Sequence, residues 1–444
     1  MKSVLLMLLL AICPSVAGGA DTTGWAWPQF RGPTGQGEAA DADLPLKWSE
    51  DEGIRWKTPL PGRGWSSPVI ADGRIWLTAA EEQQADDAQL ADLAQAVKEN
   101  PVKKDLVAYG AVALSAIELD LETGELLRQV KLFEPQAPPP IHGLNTFASP
   151  TPVLAKGKVY CHFGTFGTAC IDPISGDVVW RRELKLEHIV GPGSSPVVHG
   201  DVLIITSDGG DRQYITALDL KTGDTVWEKD RPPIREDDPD QRKAFATPLV
   251  IEVEGRAQAV IPGAQWFIAY DPASGDEIWR IDHGRGFSNV ARPAYDGRFL
   301  FLNTGFGKPQ LWAVRPDGSG DVSETHVAWR ETQQIPAMSS PAVSGGRIYV
   351  ISDGGVATCF NAETGKTLWR ERVPGKYSAS PLVGAGRVYF SSHEGRTTVV
   401  ADAAEFELLA ENELDGMLMA SPAVAEGDLV LRTDSHLYRI GTGR

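Results

Sequence analysis

The chain has 444 residues, 42% of them hydrophobic and 23% charged, the balance of a folded protein with one large core or a few ordinary ones. Acidic residues outnumber basic ones by 59 to 42, a net charge of −17, which argues against nucleic acid or an anionic bilayer as a general partner because both reward basic surfaces. The 46 glycines and 31 prolines suit a fold with many short turns.

The chain begins MKSVLLMLLLAICPSVAGGADTTG. Lys2 precedes an apolar run from Val4 to Ile12, and small residues follow at Ser15 to Ala17 and Gly18 to Ala20. This is the layout of a secretory signal, too short to span a bilayer. Residues 1–20 are therefore expected to be a signal peptide cleaved near Ala17 or Ala20. The mature chain is then exported to the periplasm or the outside, with no transmembrane segment. The competing reading is a lipoprotein signal using Cys13 and an outer-membrane lipid anchor, although Ile12 stands where such a signal wants a small residue.

A lead segment (21–52) comes next, followed by GIRWKTPL, an isolated strand carrying Trp56. From Ser66 the chain repeats. Strands open on a small residue two positions before a proline, at Ser66, Ala148, Ser194, Ala246, Ala291, Ser339, Ala379 and Ala420, mostly 40 to 52 residues apart. Each opening leads into a hairpin, then a turn and a last strand. The turns match IDPISGDVVW (Trp180), LDLKTGDTVW (Trp227), YDPASGDEIW (Trp279) and FNAETGKTLW (Trp369), with looser copies at LDLETGELLR, RPDGSGDVSETHVAW and ADAAEFELLA. The Asp or Asn binds turn amides and the Gly supplies positive φ. Four strands at this period mean a β-propeller blade.

The eighth unit ends after three strands, so residues 53–60 are expected to complete it and close the ring, leaving no open edge between the ends. The fold class read from the sequence is all-β: one eight-bladed propeller of four-stranded antiparallel blades over residues 53–444. One insert interrupts blade one at 81–111, where Leu90, Leu93, Ala94 and Val97 recur at helical spacing and Asn100-Pro101 ends the pattern. If Cys13 leaves with the signal, Cys161, Cys170 and Cys359 remain. A turn at Thr165-Phe166 would set Cys161 opposite Cys170, where a disulfide would be strained; two free buried thiols are expected.

The D-x-x-[TS]-G-x-x-x-W units resemble the repeats of pyrroloquinoline-quinone (PQQ)-like β-propellers from about Trp25 to the C-terminus. WPQFRGP, GRGWSSP, FASPTP, HFGTFGTACID and GPGSSP resemble an exported bacterial branch of that family. The resemblance implies kinship with the outer-membrane barrel-assembly propeller lipoprotein and, further off, with quinoprotein dehydrogenases. The latter hold PQQ near the axis with calcium, an Asp base and often a vicinal disulfide. This chain has no adjacent cysteines and no C-x-x-C-H, and no calcium-ligand set or base can be matched. No catalytic or metal-ligating residue is assigned and no cofactor is expected; PQQ with calcium is the alternative.

In a propeller the loops between blades and those between second and third strands emerge on one face. Arg63, Trp65, His142, Asn145, His188, Asp208, Asp211, Arg292 and Asp434 fall on them, as do His283, Arg285, Lys308 and His393. The other face receives repetitive turns. The expected function is an exported, non-catalytic, monomeric propeller that binds an envelope protein, a peptide or a glycan through the varied face. The alternatives are a PQQ-dependent sugar or alcohol dehydrogenase and a scaffold in outer-membrane protein assembly.

Overall fold

The repeat builds its architecture blade by blade, and the computed structural model describes residues 27–39, 43–284 and 286–442. Residues 1–20, where a signal peptide is expected, with Cys13 among them, and Arg285 lie outside the described residues. Eight antiparallel sheets carry four strands each in chain order, the first being Val69–Ala71, Arg74–Gln84, Tyr109–Asp120 and Leu126–Phe133. The eighth contains Ala423–Ala425, Asp428–Arg432 and His436–Ile440 and is completed by Ile54–Pro59, with Ile54 opposite Ile440 and Pro59 opposite His436. The ring closes by its N-terminal strand, as expected.

The turn motif serves the contact between blades as well as the turn. In blade three the Asp219 carboxylate accepts the amides of Lys221 (2.8 Å) and Thr222 (2.9 Å), and Gly223 sits at φ +74°. The previous blade then locks onto this turn. Trp180 donates its indole N–H to the carbonyl of Leu220, the residue after Asp219 (3.0 Å), and its ring lies where a Cβ on Gly223 would stand, 2.7 Å away. The lock recurs from Trp56 to Leu121, Trp227 to Pro272, Trp329 to Ala362 and Trp369 to Ala403. Trp279 works through Gln258, which accepts the indole N–H and donates to Pro316. In blade one Arg128 stands in for Trp, its guanidinium beside Gly176.

Five of these tryptophans have a small residue opposite them across the hairpin, whereas Trp56 faces Arg439. Ala217, Ala269 and Ala313 face Trp227, Trp279 and Trp329, and Cys170 and Cys359 face Trp180 and Trp369. Two of the cysteines are thus small buried residues under an indole. Cys161 pairs with Ala169 rather than Cys170. The one-residue offset turns the two thiols to opposite faces of the sheet, because strand side chains alternate. All three thiols are free and buried.

Blade seven has Ala410 at the tryptophan position, opposite Val399. The lead supplies the missing ring: Trp48 stacks on Tyr389 at 6.4 Å, matching Trp180 with Tyr160 (6.0 Å) and Trp369 with Tyr349 (5.9 Å).

The insert is helical only in part. The second and third strands of blade one run on to Gln84 and from Tyr109, so Glu81–Gln84 are sheet, and the helix spans Asp87–Glu99. Asp86 caps it reciprocally with Gln89. The helix buries none of its residues, and Leu90 is 50% exposed.

Around the axis the small-x-Pro openings form a belt, with blade two in register at Thr151-Pro152, so that its opening lies two residues beyond the one expected at Ala148. The amide of the residue before each proline donates to the hydroxyl at the same position in the next blade: Ser67 to Thr151 (2.9 Å), Thr151 to Ser195 (2.9 Å), Ser195 to Thr247 (3.0 Å), Arg292 to Ser340 (2.9 Å), Ser340 to Ser380 (3.0 Å), Ser380 to Ser421 (2.9 Å) and Ser421 to Ser67 (3.1 Å). Arg292 occupies the blade-five position, so no hydroxyl stands there to receive Thr247.

Candidate functional site

The loops that join blades and those that join second and third strands bond to one another and so share a face. The amide of Gln265 donates to Gly286, that of His393 to Lys376 and that of Asp434 to Met417. The Asp-x-x-Thr-Gly turns lie on the other side.

The lead closes the axis from within. Trp27 exchanges both backbone hydrogen bonds with Ile70 of blade one (2.8 and 2.9 Å), Pro28 receives the amide of Leu154 of blade two, and Glu38–Ala39 runs parallel to Val383–Gly384 of blade seven. Between these anchors the chain crosses to blades five and six. Arg31 donates to the carbonyls of Gln36 (2.5 Å) and Pro341 (2.9 Å), and Arg292 to the Phe30 carbonyl (2.5 Å) and the Gln29 side chain (3.2 Å). Both guanidiniums are buried, which pulls each down to about 9. Arg292 was expected on the varied, ligand-binding face. It is inside instead, because it is spent on holding the lead.

Asp208 is also interior. Its carboxylate meets the Arg231 guanidinium at 2.8 Å with both side chains fully buried. Burial pushes its pKa up to about 6 while Arg231 opposes the rise. This is a structural ion pair between blades three and four rather than a surface group.

The other expected residues gather on the loop face. Arg63, 39% exposed, donates to Glu82 (3.0 Å) and Tyr109 (2.6 Å), tying the blade-one entry to the root of the insert. Trp65 donates its indole N–H to the Leu144 carbonyl (2.8 Å) and stays partly exposed. His142 pairs with Leu106 of the insert, and its Nδ1 accepts the Leu144 amide (3.2 Å). Asn145 staples the next loop by donating to Val190 (2.9 Å) and Pro192 (3.1 Å), while its oxygen accepts Ser149 (2.6 Å). His188 accepts the Thr165 amide (2.8 Å); burial pulls its pKa down to about 4, opposed by the charge of Asp211. Asp211 is exposed and accepts the Glu187 amide (2.9 Å), and Asp434, also exposed, accepts that of Met417 (2.9 Å). The carbonyl of Ser435 receives the amide of Leu60, which brings the Asp434 loop beside the entry to blade one. The sector from blade eight through blade three is therefore continuous. Leu144, 46% exposed, and Val107, 38% exposed, give it an apolar surface beside Trp65.

Sequence reasoning missed the belt and the lead's place inside it. The residue before each opening is Trp65, Phe147, Gly193, Phe245, Val290, Met338, Ser378 or Met419. Six of these eight are apolar, but they do not form one set, since Phe147 is buried in the core between blades one and two. Met338 receives the Ser378 hydroxyl at 3.7 Å, and Ser378 also meets His393 (2.8 Å).

A quinone held with calcium would need cation ligands and free positive groups near the axis. Among the described residues no three His, Cys, Asp or Glu side chains converge, and Arg31 and Arg292 are committed to the lead. These residues do not fit that pair.

Blade count, repeat and strand order define a PQQ-like β-propeller. The chain belongs to the family whose model is described as outer membrane protein assembly factor BamB, matched over residues 40–229, 263–372 and 311–406. None of the curated proteins compared matches it. Among solved structures it resembles BamB from Moraxella catarrhalis, with 15% identity and a TM-score of 0.53 over 76% of this chain and 94% of that one. It also resembles the quinohemoprotein alcohol dehydrogenase of Comamonas testosteroni (12%, TM-score 0.61) and that named ADHIIG from Pseudomonas putida HK5 (12%, TM-score 0.62), each over 94% of this chain and 81% of the other. At these identities the likeness is one of fold.

Proposed function

We propose that this protein is an exported, non-catalytic propeller that binds an envelope protein, peptide or glycan through its loop-bearing face, acting as a monomer in the periplasm or outside the cell. The observation that carries the reading is the division of labour in the ring. The axis is filled by the belt and the lead, whereas the face from Asp434 to Asp211 combines exposed carboxylates, a partly exposed indole and apolar loop tips. An aromatic face beside polar groups suits peptide or sugar contacts. Among the described residues no helix is long and apolar enough to cross a membrane. The family's name favours a protein partner, within an outer-membrane assembly scaffold.

A photo-crosslinking side chain tests this at Leu144, with Lys366 on the opposite face as control. The reading expects a discrete adduct with an envelope component from Leu144 and none from Lys366. Equal or absent labelling at the two positions would contradict it. A PQQ-dependent dehydrogenase is the second reading; it rests on the fold shared with two quinohemoprotein alcohol dehydrogenases and finds no support in the described residues around the axis.

A further inference from the structure

Each blade ends on an outer strand with one free edge, and blade four shows what such an edge accepts in this molecule. Gly320–Asp321, reaching over from blade five, runs parallel to Glu277–Asp282, with Gly320 opposite Trp279 and Asp321 opposite Arg280. The Val322 amide donates to the Arg280 carbonyl (3.0 Å), and the Asp282 amide donates to the Ser323 hydroxyl (2.9 Å). Val322 is buried at 3% exposure. The added strand is thus a short acidic segment with one apolar residue, laid against the Trp-Arg of the repeat.

Blade two repeats the receiving half without an occupant. Its outer strand Val178–Arg182 places Trp180-Arg181 where blade four has Trp279-Arg280, and among the described residues it pairs only inward, with Thr168–Ile171. Phe133, Arg181, Arg182, Glu183 and Lys185 line an open depression of about 560 Å³ beside it. Val179 is 48% and Ile174 89% exposed on the same blade. Arg181 is partly engaged, donating to Leu132 (2.8 Å). The side chains of Arg182 and Lys185 make no hydrogen bond or ion pair among the described residues. Cations on other outer strands are occupied: Arg330 lies 3.7 Å over the Trp312 ring and Arg370 bonds Gln333 at 3.0 Å.

We propose that the outer edge of blade two takes an acidic, extended segment of a partner protein as a fifth strand, in the parallel mode that blade four uses for Gly320–Asp321. Backbone pairing supplies the affinity and the cations select the sign of the occupant. The same cations repel the basic edge of a second copy, which keeps the exposed strand from self-pairing. The proposal is independent of the loop-bearing face.

The probe is a labelled, end-capped peptide of the protein's own added strand, GSGDVSET (318–325), titrated by fluorescence anisotropy at low salt. Wild type should bind it saturably, and R182E/K185E, two exposed changes checked for unchanged melting, should weaken binding by about tenfold or more. A peptide with lysine in place of its Asp and Glu should prefer the double variant. Glu183→Pro removes the amide equivalent to that of Asp282 while making the edge more basic, so loss of binding there identifies strand pairing. Lys366→Ala, an exposed change on the turn-bearing face, should leave the affinity for the peptide unchanged. No saturable binding up to about 1 mM, or equal affinity for wild type and R182E/K185E, would overturn the proposal.

Discussion

At the residue scale the tryptophan lock makes the sharpest demand. Trp180 and Trp369 are 9% and 7% exposed, and each bonds a carbonyl of the next blade. Truncating either to alanine should cost about 3–5 kcal/mol, the range for large aromatic residues in a core, read from chemical denaturation. A loss below about 1 kcal/mol would place the indoles outside the core. The Asp, Gly and Trp of this lock were legible in the sequence as a spacing, but their partner was not. A repeat shows what recurs within a unit, whereas the carbonyls of Leu220 and Ala403 belong to the neighbouring unit.

Buried imidazoles add a pH dependence. Burial pulls His188 and His283 down to about 4 and His162 to about 3, against about 6.5 for a free histidine. The unfolded chain therefore takes up protons that the folded chain refuses. This contribution to stability is full above about pH 6.5 and is lost as pH falls through 4, at up to about 1.4 kcal/mol per pH unit for each histidine. Thermal midpoints measured between pH 7 and 4 should fall steeply in that window. His162→Asn, if it folds, should have a shallower slope; an unchanged slope would mean that these rings are protonated in the fold.

At the element scale the lead is the least legible and most consequential part. Its sequence, WPQFRGPTGQG, has no strand period and no helical stripe, because its partners are carbonyls and amides scattered over blades one, two, five, six and seven. The closing strand could be read, since GIRWKTPL is itself a copy of the repeat. Trp48 could not, because it fills a vacancy left by Ala410 some 360 positions away. Arg292 tests this account. Arg292→Ser would place a hydroxyl at the one belt position that lacks it, so Thr247 would gain an acceptor while the lead loses its anchor. The variant should stay folded, and limited proteolysis should cut it within residues 27–39 faster than wild type. Unchanged cutting would show that Arg292 does not hold the lead; unfolding would show that the belt does not want a hydroxyl there.

At the scale of the whole molecule the eight-fold repeat made the architecture readable, including the order of strands and the face on which each loop lies. It could not show depth. Arg292 and Asp208 sit on loops of the varied face in the sequence, yet the first turns inward to the lead and the second pairs with Arg231 between blades. Depth depends on what fills the axis, and in this chain that is a non-repeating segment. The expected residues that remain at the surface lie on the arc of blades eight, one, two and three, with its carboxylates, Trp65 and exposed Leu144, and this arc is the site we propose.

We propose that this propeller works by binding at that face and not by quinone chemistry at its axis. Titrating the purified protein with PQQ and calcium, followed by absorbance and by dye-linked turnover of sugars and alcohols, tests that claim most directly. With the axis occupied by Arg31, Arg292 and the lead, no stoichiometric quinone binding and no turnover should be seen. Binding of one PQQ per chain with turnover of any sugar or alcohol would contradict the account.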